Sequence, residues 1–106
     1  METKYLIVMV TAKDNTEAQK ISQAILEKRR AACVNIIPAV SSSFWWMDKI
    51  ESANECLLVI KTEVRMLYSL IDIVKKNHSY SVPEIIALPV VGGNPDYLKW
   101  IENTLK

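Results

Sequence analysis

The sequence is poor in two residue types on which many catalytic centres and phosphate-binding loops depend. It has one histidine, His78, and two glycines, the adjacent Gly92 and Gly93. A single histidine excludes a metal centre with two histidine ligands from one chain, and two adjacent glycines cannot form a glycine-rich phosphate loop. No nucleophile, general base or cofactor motif stands out either. We therefore predict that the protein is not an enzyme and uses no organic cofactor.

A strong excess of charge and long apolar runs are also lacking. The formal net charge is +1 at pH 7, so no overall field would attract nucleic acid or an anionic membrane. The longest apolar runs, residues 5–10 and 85–91, are far shorter than the ~20 residues that span a bilayer. The first run is also short for a secretory leader and no small-residue cleavage site follows it. This pattern favours a cytoplasmic protein.

Residues that could bind a soft metal are few. The two cysteines, Cys33 and Cys56, form no CxxC pair and are expected to stay reduced, since the predicted strands do not place them opposite each other. Free cysteines are either small buried apolar residues or thiolate ligands. His78 is either a metal ligand through its imidazole or a capping or surface group. Cys33 and His78 are the candidate metal ligands.

The chain alternates strand and helix patterns over a single predicted domain, residues 1–106. The order is strand, helix, strand, strand, helix, strand and a terminal helix, which is typical of a ferredoxin-like βαββαβ fold of the α+β class. The continuously apolar first strand predicts cover on both faces, and Asp14 with Glu17 forms a capping-box pattern. The predicted segments are residues 5–10, 14–30, 31–51, 55–62, 64–77, 84–91 and 94–105, with a turn at 52–54.

The segment at residues 31–51 is too long for a domain of this size. At about 3.3 Å per residue it would extend for about 70 Å, whereas such a domain is only about 35 Å across. We expect the strand to bend at Pro38 and at Ser41–Ser43, or to protrude as a long hairpin. Alternation sends its distal apolar side chains to both faces, so the hairpin is expected to pack on another subunit. The alternative is that these side chains cap the monomer core; they are Phe44, Trp45, Trp46 and Met47.

Aromatic and charged side chains of this hairpin are predicted to meet those of the last third of the chain across a subunit boundary. A cleft with aromatic walls and a few fixed charges would bind a small molecule; the alternative is a subunit interface held by ion pairs and stacked rings. Asp48, Glu51 and Glu55 could supply oxygen ligands to a hard cation, or could form a solvated hairpin tip. The candidate cleft or interface residues are Trp45, Trp46, Lys49, Glu51, Lys61, Tyr80, Glu84, Tyr97 and Trp100.

Five stretches, in order, make nearly the whole chain resemble a known family. They are RAACVNIIP (30–38), FWWMDKIE (44–51), LLVIKT (57–62), HSYSVPEIIALPV (78–90) and DYLKWI (96–101). The chain resembles the CutA divalent-cation tolerance family. The resemblance implies a ferredoxin-like subunit, a compact homotrimer similar to the PII signalling proteins, and a cytoplasmic role in tolerance of copper and other divalent metals.

The resemblance also indicates where metal ligands would lie. Family members proposed to bind copper offer a cysteine on the first strand and two adjacent histidines after the second helix. Here those positions hold Val10, Asn77 and His78, so only one ligand is retained. The expected function is a homotrimer in divalent-metal homeostasis that binds copper(II) or another divalent cation. The alternatives are a PII-like regulatory module that binds a small anion or metabolite between subunits, and a structural trimer that presents a surface to another protein.

Overall fold

Four antiparallel strands form one sheet, in which the second and third strands, then the first, then the fourth lie side by side. The structure, a computed structural model, describes residues 3–105. The predicted α+β class is confirmed. The elements are β1 (Tyr5–Ala12), α1 (Asn15–Glu27), β2 (Cys33–Trp46), β3 (Lys49–Glu63), a short 3₁₀ turn (Val64–Met66), α2 (Leu67–Asn77), β4 (Ile85–Pro89) and α3 (Pro95–Thr104).

The core lies between one face of the sheet and helices α1 and α2. Alternate strand residues point to this face and pack against both helices. The opposite face, here called the open face, carries Ile7, Met9, Leu57, Val59, Ile86 and Leu88. Within the subunit β1 is covered on one face only, because both core helices pack on the same side; cover of its other face stays a prediction. The buried core includes Leu6, Val8, Val10, Ala18, Ile21, Ile25, Leu58, Ile60, Leu70 and Val74.

The β2–β3 hairpin differs from its prediction in where the chain reverses. The turn consists of Met47 and Asp48, and residues 52–54 lie within β3, paired with Ser41–Ser43. The predicted turn at 52–54 and the single strand over 31–51 are therefore wrong. Positive φ angles of 50° and 62° at the two turn residues match the type I′ geometry that follows the natural twist of two strands.

A β-bulge bends β2, as the proline predicts. The pairing shifts between Ile37 and Val40, and Ala39 between them has a φ of 58°. The bend expected at Pro38 is confirmed, whereas the one expected at Ser41–Ser43 is not, since those serines pair regularly with β3. The hairpin gives the molecule a long axis of 44 Å against widths of 29 and 23 Å.

Helix α3 packs across one end of the sheet rather than against the main core. Its buried residues Ile101 and the following Leu105 contact Met66, with Tyr5 and Leu98 around them. Asparagine and proline begin this helix in the usual way, with the Asn94 side chain accepting from the Asp96 N–H. None of the helices within residues 3–105 is long and apolar enough to cross a membrane.

Helix α1 begins at a capping network that reaches beyond the helix. The Asp14 carboxylate accepts from the Glu17 N–H at 2.8 Å, and the Glu17 carboxylate accepts from the Lys13 N–H at 3.1 Å. The same carboxylate accepts from the Ser79 N–H at 2.7 Å, on the connection after α2. The capping-box prediction is confirmed in kind, although Glu17 reaches one residue further back than the usual motif.

The Glu17 carboxyl group is buried yet ionised in this network. Burial alone would raise its pKa, but the hydrogen bonds from Ser79 and Lys13 outweigh that effect and hold the pKa below its ordinary value of 4.5. A carboxyl whose pKa is lowered by folding stabilises the fold above its unfolded pKa. That contribution is lost as the pH falls through the folded-state value.

We predict that Met47→Asn combined with Asp48→Gly stabilises the protein by about 1 kcal/mol, because the new residues tolerate left-handed backbone. Urea unfolding at one fixed protein concentration measures the change. The matched control is Ser52→Asn with Ala53→Gly, which should destabilise by about 0.5–1 kcal/mol because it puts glycine in a strand. Equal effects from both pairs would contradict the observed turn position.

We predict that Glu17→Gln destabilises the protein at pH 7 by about 1–3 kcal/mol. An amide has only one acceptor oxygen, so either the Lys13 or the Ser79 N–H loses its hydrogen-bond acceptor. The variant should also lose less stability than the parent when the pH is lowered from 7 to below 4.5. Urea unfolding at both pH values measures this. Glu27→Gln, on the exposed surface of α1, is the control. An unchanged acid dependence in Glu17→Gln would contradict the role of Glu17 as an ionised hydrogen-bond acceptor.

Candidate functional site

The connection between α2 and β4 is held to the end of β1 by the His78 side chain. The imidazole is fully buried, and its Nε2 lies 2.7 Å from the Thr11 carbonyl oxygen. Its Nδ1 accepts from the Tyr80 N–H at 3.1 Å. A carbonyl oxygen can only accept, so Nε2 carries the proton and the imidazole is the neutral Nε2–H tautomer.

Both nitrogens of His78 are therefore already in use. A metal ion could bind this imidazole only after one of the two hydrogen bonds breaks. The side chain acts here as a brace that joins Thr11 to Tyr80, with the His78 and Tyr80 ring centroids 4.8 Å apart. Ligation of a metal by His78 stays a prediction.

Beside this brace lies a pocket of about 810 Å³, between the distal hairpin and residues 80–84. We call it the acidic pocket. Its charged lining side chains are Glu51, Glu55 and Glu84, and the described lining contains no lysine, arginine or histidine. Aromatic walls and hydroxyl groups complete it. The full lining is Thr11, Ser42, Ser43, Phe44, Trp46, Glu51, Ser52, Glu55, Tyr80, Ser81, Val82, Pro83 and Glu84.

Glu55 and Tyr80 form the inner wall of the acidic pocket. The Tyr80 hydroxyl donates to the Glu55 carboxylate at 2.8 Å, and Glu55 is only 7% exposed. Burial and this carboxylate raise the pKa of Tyr80 to about 12. The pocket therefore keeps its phenol neutral, as the hydrogen-bond donor to Glu55.

The hairpin register brings the aromatic and acidic walls together. Phe44 pairs directly with Glu51, and Val40 with Glu55. Because the bulge inserts one residue into β2, even-numbered β2 residues beyond it share a face with odd-numbered β3 residues. Trp46 thus lies on the same face as both glutamates, and Trp45 lies on the other.

Within one subunit, four of the nine predicted cleft residues meet; contacts of the others across a subunit boundary stay a prediction. Trp46, Glu51, Tyr80 and Glu84 line the acidic pocket, whereas the remaining five lie elsewhere. Trp45 pairs with Ile50 on the opposite face of the hairpin and is 71% exposed. Lys49 pairs with Trp46, and the Lys61 ammonium donates to Asn35. The ring centroids of Tyr97 and Trp100 lie 5.5 Å apart.

The two candidate metal ligands also lie apart. Cys33 is in register with Lys61, which pairs with Ile7, while His78 contacts Thr11. Four residues along a strand correspond to about 13 Å. Cys33 instead lies beside Tyr97, whose pKa is raised by burial and by that thiol. Among residues 3–105, no three His, Cys, Asp or Glu side chains converge closely enough to hold a metal ion.

Sequence reasoning missed several pocket residues for identifiable reasons. The sequence suggests Glu55 as an oxygen ligand to a hard cation or as part of a solvated hairpin tip, but not as a cleft residue, because the predicted turn at 52–54 places it beside the tip, whereas the turn lies at 47–48. Phe44 is predicted only to pack on another subunit or to cap the core. Its direction toward the glutamates depends on the bulge, which adds one residue to β2. Thr11 gives no signal in the sequence, because its place in the pocket depends on the His78 brace.

Comparison with known proteins identifies the family. The sequence profile of "CutA1 divalent ion tolerance protein" matches residues 6–104. The chain is 42% identical to "Protein CutA 1, chloroplastic" of Oryza sativa subsp. japonica, covering 95% of this chain and 57% of that protein. It is 46% identical to "Protein CutA" of Mus musculus over 87% of this chain and 52% of that protein. The chain thus spans about half the length of these relatives.

Shorter relatives and solved structures match over nearly their whole length. "Divalent-cation tolerance protein CutA" of Thermus thermophilus is 41% identical over 92% of this chain and 96% of that protein. The crystal structure of CutA1 from Oryza sativa superposes with a TM-score of 0.95 at 40% identity, covering 98% and 95% of the two chains. The structure of "Periplasmic divalent cation tolerance protein CutA" from Archaeoglobus fulgidus gives 0.93 at 40% identity, covering 96% and 99%. This chain belongs to the CutA1 divalent ion tolerance family.

Proposed function

We propose that this protein is a non-catalytic, homotrimeric divalent-cation tolerance protein that binds divalent cations, copper(II) among them, in the cytoplasm. The names of its relatives support the tolerance role. The observation that carries the proposal is the acidic pocket, whose charged lining groups are all carboxylates. Such a lining attracts cations and repels anions. Two free cysteines support a reducing compartment.

The proposed binding site uses oxygen donors of the acidic pocket. Carboxylates and hydroxyls suit hard divalent cations, which keep part of their water shell. Because no three such groups of the described chain converge on one point, one or two glutamates hold an ion together with water or a group from a neighbouring subunit. We expect weak binding, consistent with buffering rather than permanent uptake.

Copper(II) binding through His78 or Cys33 is a separate part of the proposal. Imidazole and thiolate are favoured copper ligands. Within one subunit, however, Cys33 at the start of β2 and His78 after α2 lie apart. His78 would have to give up its bond to Thr11 or to Tyr80. A second subunit is then needed to complete the ligand set, so this site depends on assembly.

Assembly as a PII-like trimer of ferredoxin-like subunits is supported by apolar surface. On the open face Ile86 and Leu88 are 53% and 44% exposed, and at the hairpin tip Trp45 and Met47 are 71% and 83% exposed. These are two separate exposed apolar patches, one on the open face and one at the hairpin tip, and such patches mark interfaces. The sheet packs helices on its other side, so a second copy of the chain is the proposed cover.

The second candidate function is a regulatory module that binds a small molecule. It is favoured by the aromatic side chains of Phe44, Trp46 and Tyr80 in the same pocket, which suit an organic ligand. An anionic ligand is disfavoured, since the lining holds three carboxylates and no cationic side chain among the described residues.

We predict that the purified protein has a mass three times the 12.1 kDa of the chain and that Ile86→Lys with Leu88→Lys yields monomers. Two ammonium groups on the open face cannot be desolvated there without partners. Light scattering coupled to size-exclusion chromatography measures the mass. Tyr68→Lys, on the exposed side of α2, is the control. A monomeric parent protein at micromolar concentration would refute the trimer.

We predict that manganese(II) and copper(II) bind saturably to the assembled protein, and that Glu51→Gln with Glu55→Gln weakens manganese binding by about fivefold or more per lost charge. Isothermal titration calorimetry measures the affinities. Asp72→Asn, an exposed carboxylate on α2, is the matched control. Manganese binding that is absent, or equal in all variants, contradicts the pocket site.

We predict that His78→Ala weakens copper(II) binding but leaves manganese(II) binding nearly unchanged, since copper prefers nitrogen ligands and manganese prefers oxygen. Circular dichroism and the measured mass must first show that the variant keeps its fold and assembly. Copper affinity equal to that of the parent would remove His78 from the ligand set.

A further inference from the structure

The aromatic wall of the acidic pocket has no role in binding a metal ion. Phe44, Trp46 and Tyr80 face a space bounded by Glu51 and Glu55. Hydrated divalent cations need oxygen donors and gain nothing specific from rings. Ring faces next to carboxylates are instead the two features that recognise an organic ammonium group, through cation–π attraction and through hydrogen-bonded ion pairs.

We propose that the acidic pocket binds a small aliphatic diamine or polyamine. This inference goes beyond the proposed function and requires no metal. Each carboxylate would accept from one ammonium group, and the methylene chain between the ammonium groups would lie against the aromatic wall and Val82. The ligand then matches both the charge and the apolar surface of the lining.

The spacing of the carboxylates selects for ligand length. Glu51 and Glu55 lie four residues apart on one strand and on the same face, so their Cα atoms are about 13 Å apart. A short diamine can pair with only one of them at a time. A longer diamine can bridge both while its chain crosses the strip between Phe44, opposite Glu51, and Tyr80, bonded to Glu55.

Other ligand classes fit the lining less well. An anion meets three carboxylates and no lysine, arginine or histidine of the described chain. A neutral ligand leaves the nearly buried Glu55 with Tyr80 as its hydrogen-bond donor and no counter-charge. An uncharged aromatic ligand would stack on Trp46 but would pair with no glutamate, at a desolvation cost. Only a cation with an apolar chain uses every part of the pocket.

The test is calorimetric titration of the full-length assembled protein, freed of metal with EDTA and dialysed, in about 0.15 M salt to screen nonspecific charge attraction. The probes are α,ω-diaminoalkanes from 1,2-diaminoethane to 1,8-diaminooctane, with spermidine and, as the anionic control, ATP. We expect saturable binding of the longer diamines and spermidine, affinity that rises along the series, and no heat of binding with ATP.

Two matched pairs of variants locate the ligand. Trp46→Ala should weaken the binding of 1,8-diaminooctane about five- to tenfold, whereas Tyr68→Ala, which removes an exposed aromatic side chain of α2, should not change it. Glu51→Gln should flatten the dependence on chain length, because one anchor is lost, and Asp72→Asn should not. Trp46→Leu, which keeps the apolar bulk, replaces Trp46→Ala if that variant fails to assemble.

Three outcomes overturn the inference. They are no saturable binding of any amine up to about 10 mM, an affinity independent of chain length, and equal losses in the Tyr68 and Trp46 variants. A basic side chain of a neighbouring copy that fills the pocket would appear as the first. The proposed metal function is tested separately. Diamine binding without manganese binding contradicts the metal function and supports this inference. Manganese binding without diamine binding supports the metal function and contradicts this inference.

Discussion

The site depends on one buried carboxylate, that of Glu17. The carboxylate accepts hydrogen bonds from the Lys13 N–H, before α1, and from the Ser79 N–H, on the connection after α2. Glu17 and Ser79 are 62 residues apart in the chain. Because Ser79 is fixed, His78 can brace the end of β1 and Tyr80 can reach Glu55. The inner wall of the acidic pocket is therefore a consequence of a helix cap.

The other wall depends on a single extra residue in β2. Without the bulge between Ile37 and Val40, alternation would place Phe44 and Trp46 on the face opposite Glu51 and Glu55. The proline at this position favours such an irregularity, since it cannot donate to the sheet. A cap thus positions one wall of the pocket and a bulge positions the other, and neither contributes a ligand itself.

The sequence predicts the class of fold well and the site only in part. The capping signals at Asp14 and Glu17 and the apolar periods of the helices are local, so the helices and the bend at Pro38 follow from pattern alone. The turn was misplaced because Ser52–Asn54 has turn composition, whereas Met47 and Asp48 are poor in it; pairing along 14- and 15-residue strands overrode propensity. Glu55 entered the pocket only once that register was known.

The positions where the family resemblance places soft ligands are occupied by structural groups in this chain. Val10 is fully buried in the helix-covered core, and Asn77 donates its amide to the Ile73 carbonyl at the end of α2. His78, the third position, keeps its imidazole neutral between Thr11 and Tyr80. With sulfur and nitrogen thus absent or engaged, the free donors near this end of the sheet are carboxylate and hydroxyl oxygens beside aromatic rings. That combination distinguishes cations by how strongly they hold water. A metal ion keeps part of its water shell and binds the oxygens alone, whereas an organic cation loses water when it packs against the rings.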